Sequence, residues 1–328
     1  MTDMTNTRKT LFSDEAGYPQ GCERTHSSAT SDVELFVYSP KADEERLHNV
    51  LSANGISYRL NDYSIRPKRN KTICHYKNAE MQPQEQEFLI KMTERGVWVE
   101  PLVSYLDRRL GLTEVDLLHN GYFLHQKAFS ILTHRKNRNL KRMLDLLFVF
   151  MLSIVAIPVG LIAALLIKLE SPGPVFFRQR RTGLYNREFD VIKLRSMRSD
   201  AEKHGAQWAS KNDNRVIRVG KFIRKTRIDE LPQLINVLKG EMSMVGPRPE
   251  REVFIDELEK TIPYYRFRHA VKPGITGLAQ VKYPYGASME DAVWKHKYDM
   301  YYIKHQSFRM DIKILFLTVK TVLFGMGR

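Results

Sequence analysis

Cysteine is scarce in this chain: Cys22 and Cys74 are the only two in 328 residues, and they lie far apart. Two such thiols exclude a disulfide framework and fit a reducing compartment. The ten histidines, His204 and His269 among them, do not recur at metal-ligand spacing, so they are expected to be surface or structural residues. No G-x-G-x-x-G occurs, which removes the usual sign of dinucleotide binding. Helix-turn-helix, zinc-finger and RNP patterns are also missing, which argues against a nucleic-acid partner. The opening residues, MTDMTNTRKTLFSDE, contain no apolar run, so no signal peptide is expected.

Acidic charge is deficient in only one part of the chain. Residues 1–133 hold 16 Lys and Arg against 18 Asp and Glu, so of the overall net charge of +15 the remaining residues carry +17. A field this strong, confined to the C-terminal part, suits anionic lipid headgroups or a phosphorylated substrate.

Residues 1–30 are rich in Thr, Ser, Asp and Gly without periodicity and read as a disordered tail. Strand-like runs at Asp32–Tyr38, Ile56–Leu60, Lys71–Tyr76 and Val97–Val103 alternate with helical spacing at Lys41–Ala53 and Glu85–Arg95. The alternation predicts a small α/β accessory module over residues 31–133. The basic run Arg135–Arg142 follows, then Leu146–Ile167, about 22 residues without charge and long enough to cross a bilayer. A single crossing would put one basic flank outside, since Lys168, Arg178, Arg180 and Arg181 follow it. The positive-inside rule is better satisfied by a re-entrant helix over residues 140–169, entering, bending at Pro158 and returning.

Beyond it, Val175–Arg181 and Phe189–Lys193 read as paired strands about Gly183–Arg187. Residues 311–326 show helical apolar spacing interrupted by Lys313 and Lys320, which fits an interfacial amphipathic helix or, alternatively, a core helix. The fold class expected is thus an α/β N-terminal module followed by a mainly α (α+β) membrane-embedded domain, residues 134–328.

The most informative stretch is Arg224–Pro249, RKTRIDELPQLINVLKGEMSMVGPRP. Asp229 and Glu230 follow Arg224, Lys225 and Arg227, and precede an apolar helical pattern with Pro232 at its start and Gly240 at its stop. An Asp-Glu pair before a helix can be a capping device. Among cations at an anion-attracting helix start it can instead ligate a metal or attack phosphorus. Arg248, between two prolines, is either part of a structural turn or a rigid guanidinium for phosphate.

These residues carry a resemblance. Arg224, Asp229-Glu230-Leu231-Pro232-Gln233-Leu234, Asn236–Ser243 and Val245–Pro249 resemble the signature of the bacterial sugar transferase family. These are monotopic polyprenyl-phosphate phosphoglycosyl transferases, or undecaprenyl-phosphate sugar phosphotransferases. Lys193-Leu194-Arg195-Ser196-Met197 and Lys272–Val281 resemble two further signatures, and Gly96–Phe129 resembles the segment preceding the catalytic domain in longer members. The resemblance covers roughly residues 139–324. It implies transfer of a phospho-sugar from a UDP-sugar to polyprenyl phosphate, releasing UMP, with Mg²⁺ required. It further implies Asp229 as nucleophile and Arg224 at substrate phosphate, with Lys193 at substrate phosphate or at the catalytic carboxylates; Arg248 is placed with them as a phosphate-binding guanidinium. Asp229 and Glu230 would be the metal ligands, with Glu230 assisting metal or lipid phosphate. The setting implied is the cytoplasmic face of a bacterial inner membrane, with anionic lipid around it, at the first membrane step of capsule, O-antigen or exopolysaccharide assembly. The family's helix break is usually Ser-Pro; here it is Ile157-Pro158, with Ser153 one turn earlier. The alternative is a non-catalytic scaffold binding anionic lipid, which would have no need of Asp229 and Glu230. The sequence leaves the sugar and any homo-oligomer open, and for Lys272–Val281 it leaves scaffold and nucleotide edge as alternatives.

Overall fold

The computed structural model describes residues 35–64, 72–125, 135–198, 201, 213–283, 286 and 288–323. The tail expected at 1–30 lies outside them, as do Cys22, His204 and the last residues of the C-terminal helix. The first elements are β1 (Leu35–Tyr38), α1 (Glu44–Ala53), β2 (Tyr58–Leu60), β3 (Thr72–His75), α2 (Pro83–Glu94), β4 (Val99–Pro101), α3 (Leu102–Leu110) and α4 (Asn120–His125). The strands form one all-parallel sheet in the order β2-β1-β3-β4. Both faces of it are covered, as parallel sheets require. Leu35, Val37 and Cys74 enter one core, and Phe36, Tyr38 and Ile73 enter the other. The strand expected through Val103 stops at Pro101. That proline is the N-cap of α3, and Leu102, Val103 and Leu106 are buried along a helical stripe.

α5 runs from Arg135 to Glu170 with Pro158 inside it. A helix this long and apolar could be a buried core element, but only 17% of its most apolar window is buried. Its two ends are fastened to the same body. Near the start, Arg142 donates to the carbonyls of Val237 (2.5 Å) and Leu238 (2.8 Å), and Asp145 accepts from Ser243 Oγ and Met244 N. At the other end, Glu170 accepts from the backbone N–H groups of Arg218 (2.7 Å) and Val219 (2.8 Å).

The hairpin forms as expected: β5 (Phe176–Thr182) pairs antiparallel with β6 (Glu188–Leu194). Then come α6 (Arg218–Lys225), α7 (Gln233–Lys239), β7 (Ser243–Val245), α8 (Glu252–Leu258), β8 (Gly274–Thr276), α9 (Leu278–Lys282), α10 (Met289–His305) and α11 (Phe308–Leu323). β7 and β8 pair in parallel. The backbones at Gly246 and Gly274 approach so closely that a Cβ on Gly274 would lie 2.1 Å from Gly246 N. Of the two readings left open for Lys272–Val281, this contact fits a scaffold for the loop after β7. On α11, Asp311 and Ile314 are buried while Phe308, Ile312, Phe316 and Val319 form an exposed stripe.

Buried ion pairs join the parallel-sheet part to α10. Asp107 pairs with Lys304 (2.5 Å) and lies within hydrogen-bond distance of His305 Nε2 (3.0 Å), and Glu114 pairs with Lys297 (2.7 Å). Residues 33–328 accordingly group as one compact unit.

Candidate active site

α6 ends in Arg224 and Lys225, and the chain then turns at Arg227, which takes a left-handed backbone (φ +57°). For a side chain branched away from glycine this costs about 1 kcal/mol or more. The reversal lets Ile223 and Ile228 share one apolar cluster with Ala163 and Ile167 of α5. The next turn, a 3-10 turn of Ile228–Glu230, carries both carboxylates, and both are buried. Helix α7 begins only at Gln233, with Pro232 as its N-cap, and is seven residues long. The carboxylates therefore stand on the turn just ahead of the helix, as expected from the sequence. The positive charge around them comes from side chains rather than from a helix end.

Four cationic groups from separate elements converge there. Lys193 lies on β6, and burial, with the charge of Arg248, pushes its ammonium down to about 8. Arg248 Nη2 donates to Glu230 Oε1 at 2.6 Å, and Arg227 Nη1 lies 3.4 Å from Glu230 Oε2. The charge of Arg224 is felt at Asp229. Arg181, Val191, Lys193, Gln233, Arg248 and Pro249 line a small crevice. Of the sequence-predicted residues, Lys193, Arg224, Asp229, Glu230 and Arg248 are brought together. Pro158 is elsewhere, inside α5.

The two carboxyls are driven apart. Burial opposes ionisation of Glu230, but Arg248, Lys193 and Arg227 prevail and hold it far below the usual carboxylate range. Burial pushes Asp229 up to about 6, and the charge of Glu230 adds to that. Glu230 is thus a fixed anion already engaged by arginine. Asp229 makes no side-chain hydrogen bond among the described residues, so its oxygens are available to a new partner.

Several contributors had no assignment from sequence. Arg181 was grouped with Arg178 and Arg180, but strand alternation puts it on the other face, where it reaches Pro249 O and Glu250. That alternation was a readable signal. Asn236, fully buried, donates to Asp190 O and Glu241 and accepts from Ile192 N, holding β6 beside α7. Its marks in the sequence were a lone Asn within the apolar pattern of α7 and its place at the head of the Asn236–Ser243 signature. His269 and His296 are buried, as structural histidines are.

Among the described residues no group of three or more His, Cys, Asp or Glu could cage a metal. Asp229 and Glu230 do supply two hard oxygen donors. That set fits Mg²⁺, which takes one or two carboxylates and completes its shell with water and substrate phosphate.

A buried carboxylate pair thus lies among lysine and arginine side chains in a chain that also carries a long, mostly exposed apolar helix. The bacterial sugar transferase profile matches residues 136–325, more than half of the chain, and the chain belongs to that family. A UDP-N-acetylgalactosamine-undecaprenyl-phosphate N-acetylgalactosaminephosphotransferase of Aeromonas hydrophila is 41% identical over 255 residues, 78% of this chain and 59% of that protein. A UDP-glucose:undecaprenyl-phosphate glucose-1-phosphate transferase of Xanthomonas campestris pv. campestris is 49% identical over 170 residues, 51% of this chain and 35% of that protein. The exopolysaccharide production protein PSS of Rhizobium leguminosarum bv. phaseoli is 42% identical over 189 residues, 55% of this chain and 93% of that protein. The chain thus spans less than two thirds of the first two relatives.

Proposed function

We propose that this protein transfers a phospho-sugar from a UDP-sugar to polyprenyl phosphate at the cytoplasmic face of a bacterial inner membrane. The observation that carries the reading is the unequal carboxylate pair, with Asp229 unengaged among Lys193, Arg224 and Arg248. The names of the Aeromonas and Xanthomonas relatives, which join a UDP-sugar to undecaprenyl phosphate, support the substrate classes and leave the sugar open.

In this reading an Asp229 oxygen attacks the sugar-bearing phosphorus, and the bond from that phosphorus to the bridging oxygen breaks. UMP leaves with the bridging oxygen, and the phospho-sugar stays on Asp229 as an acyl phosphate. A phosphate oxygen of the lipid then attacks the same phosphorus and expels the carboxylate. Two steps avoid holding two polyanions in one small site at once. Lys193 and Arg224 bind phosphate, and Arg248 shares its guanidinium between Glu230 and the incoming anion. Asp229 and Glu230 would hold Mg²⁺, which supplies charge neutralisation at phosphate when bound.

The membrane geometry supports the same reading. A straight helix of 36 residues would be about 54 Å long, beyond the hydrocarbon thickness of about 30 Å. A simple crossing would carry its ends to opposite sides, yet both ends are tied to one body. A re-entrant path bent at Pro158 keeps them together, and the exposed stripe of α11 then lies at the interface.

The deciding experiment is mass spectrometry after incubation with UDP-N-acetylgalactosamine or UDP-glucose and no lipid acceptor. A phospho-sugar adduct on Asp229 and UMP release, both lost in Asp229→Asn, are expected. An adduct on Glu230, or undiminished turnover by Asp229→Asn, overturns the assignment.

A further inference from the structure

The loop that presents Arg248 is built from Pro247, Arg248 and Pro249, two of which have no N–H to tether themselves. Every carbonyl along it is instead held from outside. Pro247 O accepts from Gly274 N (2.9 Å), Pro249 O accepts from Arg181 Nη1 (3.2 Å) and Glu250 O accepts from Thr182 N (2.9 Å). The carbonyl of Arg248 itself accepts from Arg268 Nη2 at 3.0 Å. The same Arg268 nitrogen is 2.8 Å from Asp299 Oδ2, its Nη1 reaches Tyr265 Oη, and the guanidinium lies over the Tyr265 ring.

Arg268 and Asp299 are both almost completely buried. A buried ion pair is weak evidence for stability, because the desolvation of two charges offsets their attraction. Here it has a geometric use. Asp299 lies on α10, which Asp107 and Glu114 pin through Lys304 and Lys297, so the pair connects a fixed helix to the peptide of Arg248. Among the described residues neither has a hydrogen bond or ion pair to Asp229 or Glu230. We propose that Arg268, anchored by Asp299, is a positioning residue that sets the direction of the Arg248 guanidinium at Glu230 and at substrate phosphate. This rests on the transferase reading above.

The test is a double-mutant cycle on UMP release in a single turnover with UDP-N-acetylgalactosamine or UDP-glucose, with thermal unfolding measured alongside. Arg268→Ala and Asp299→Asn are each expected to slow release about 10- to 100-fold, the scale of a misplaced catalytic group. Arg268→Lys should not restore the rate, because a single ammonium nitrogen cannot take the Nη2 position between Asp299 and the carbonyl while Tyr265 Oη is also held, as the second guanidinium nitrogen holds it. In an Arg248→Ala background the same changes should have no further effect. Equal slowing in both backgrounds, or full rescue by lysine, would mark a merely structural role and overturn the proposal. Where Arg268→Ala fails to fold, the Asp299→Asn arm decides alone. Absence of UMP release by the wild-type protein with both donors would sink the transferase reading instead. The positioning role is then judged by phenylglyoxal modification of Arg248 followed by peptide mass spectrometry. A rate raised severalfold in Asp299→Asn supports it, and an unchanged rate overturns it.

Discussion

Arg248 and Glu230 hold each other at 2.6 Å, although 18 residues separate them and each belongs to a different loop. The pair raises the basicity of the arginine and keeps the glutamate ionised. Removing the arginine leaves a buried carboxylate with Arg227 at 3.4 Å as its nearest cationic partner. Arg248→Ala is therefore expected to lower kcat/KM about 10²–10³-fold, the loss typical of one transition-state donor. Arg248→Lys should recover little of it, since one ammonium cannot serve Glu230 and phosphate together. Steady-state transfer kinetics decide; a loss under tenfold in Arg248→Ala would remove this residue from the site.

The path of α5 predicts that both of its flanks lie in the cytoplasm. Arg138→Cys and Arg187→Cys, each in a background with Cys22 and Cys74 replaced by alanine, should resist a membrane-impermeant thiol reagent in intact cells. Both should react after lysis. Labelling of one alone from outside would establish a single crossing and end the re-entrant reading.

The donor set of Asp229 and Glu230 predicts that UMP release stops in EDTA and resumes with added Mg²⁺. Full activity in excess chelator would remove the metal from the scheme.

Two buried histidines predict an acid-sensitive stability. Burial, with the charge of Arg268, pushes both His269 and His296 down to about 3. In the unfolded chain each has a value of about 6.5, so their contribution is present above that pH and is lost as pH falls below it. At pH 5.5 the loss is about 1.4 kcal/mol for each. Asp299 works in the opposite sense, since burial raises it to about 6 and folding then gains protons as pH falls. The measurement is therefore a difference: urea unfolding in detergent at pH 7.5 and 5.5, wild type against His296→Gln. The variant should lose about 1.4 kcal/mol less over that interval. An identical loss in both proteins would show that His296 does not govern the response.

Much of this arrangement could be read from residue order. The α/β alternation, the hairpin and the carboxylate pair are each local patterns, and local patterns survive without coordinates. The strand expected through Val103 was misread because an apolar run of that length suits a strand or a helix start, and Pro101 decides it. The start of α7 was legible because Pro232 is acceptable both as N-cap and at the first helical position, and it serves as the N-cap. Arg268 and Asp299 were silent for a different reason. They lie 31 residues apart, and nothing local distinguishes a buried arginine from a surface one. The glycines of Lys272–Val281 allow close backbone approach, and that much was legible; that Gly274 meets Gly246 was not.

The lysines at 297 and 304 make the junction between the parallel-sheet part and α10 a matched surface rather than a tether. Grafting α10 and its surroundings onto a different N-terminal partner would strand two ammonium groups unless that partner brought carboxylates to the same two places. Recombination near residues 126–134 would therefore be penalised even with every residue around Asp229 intact. The two parts are expected to be inherited together, and exchanging them between relatives requires transplanting Asp107 and Glu114 with them.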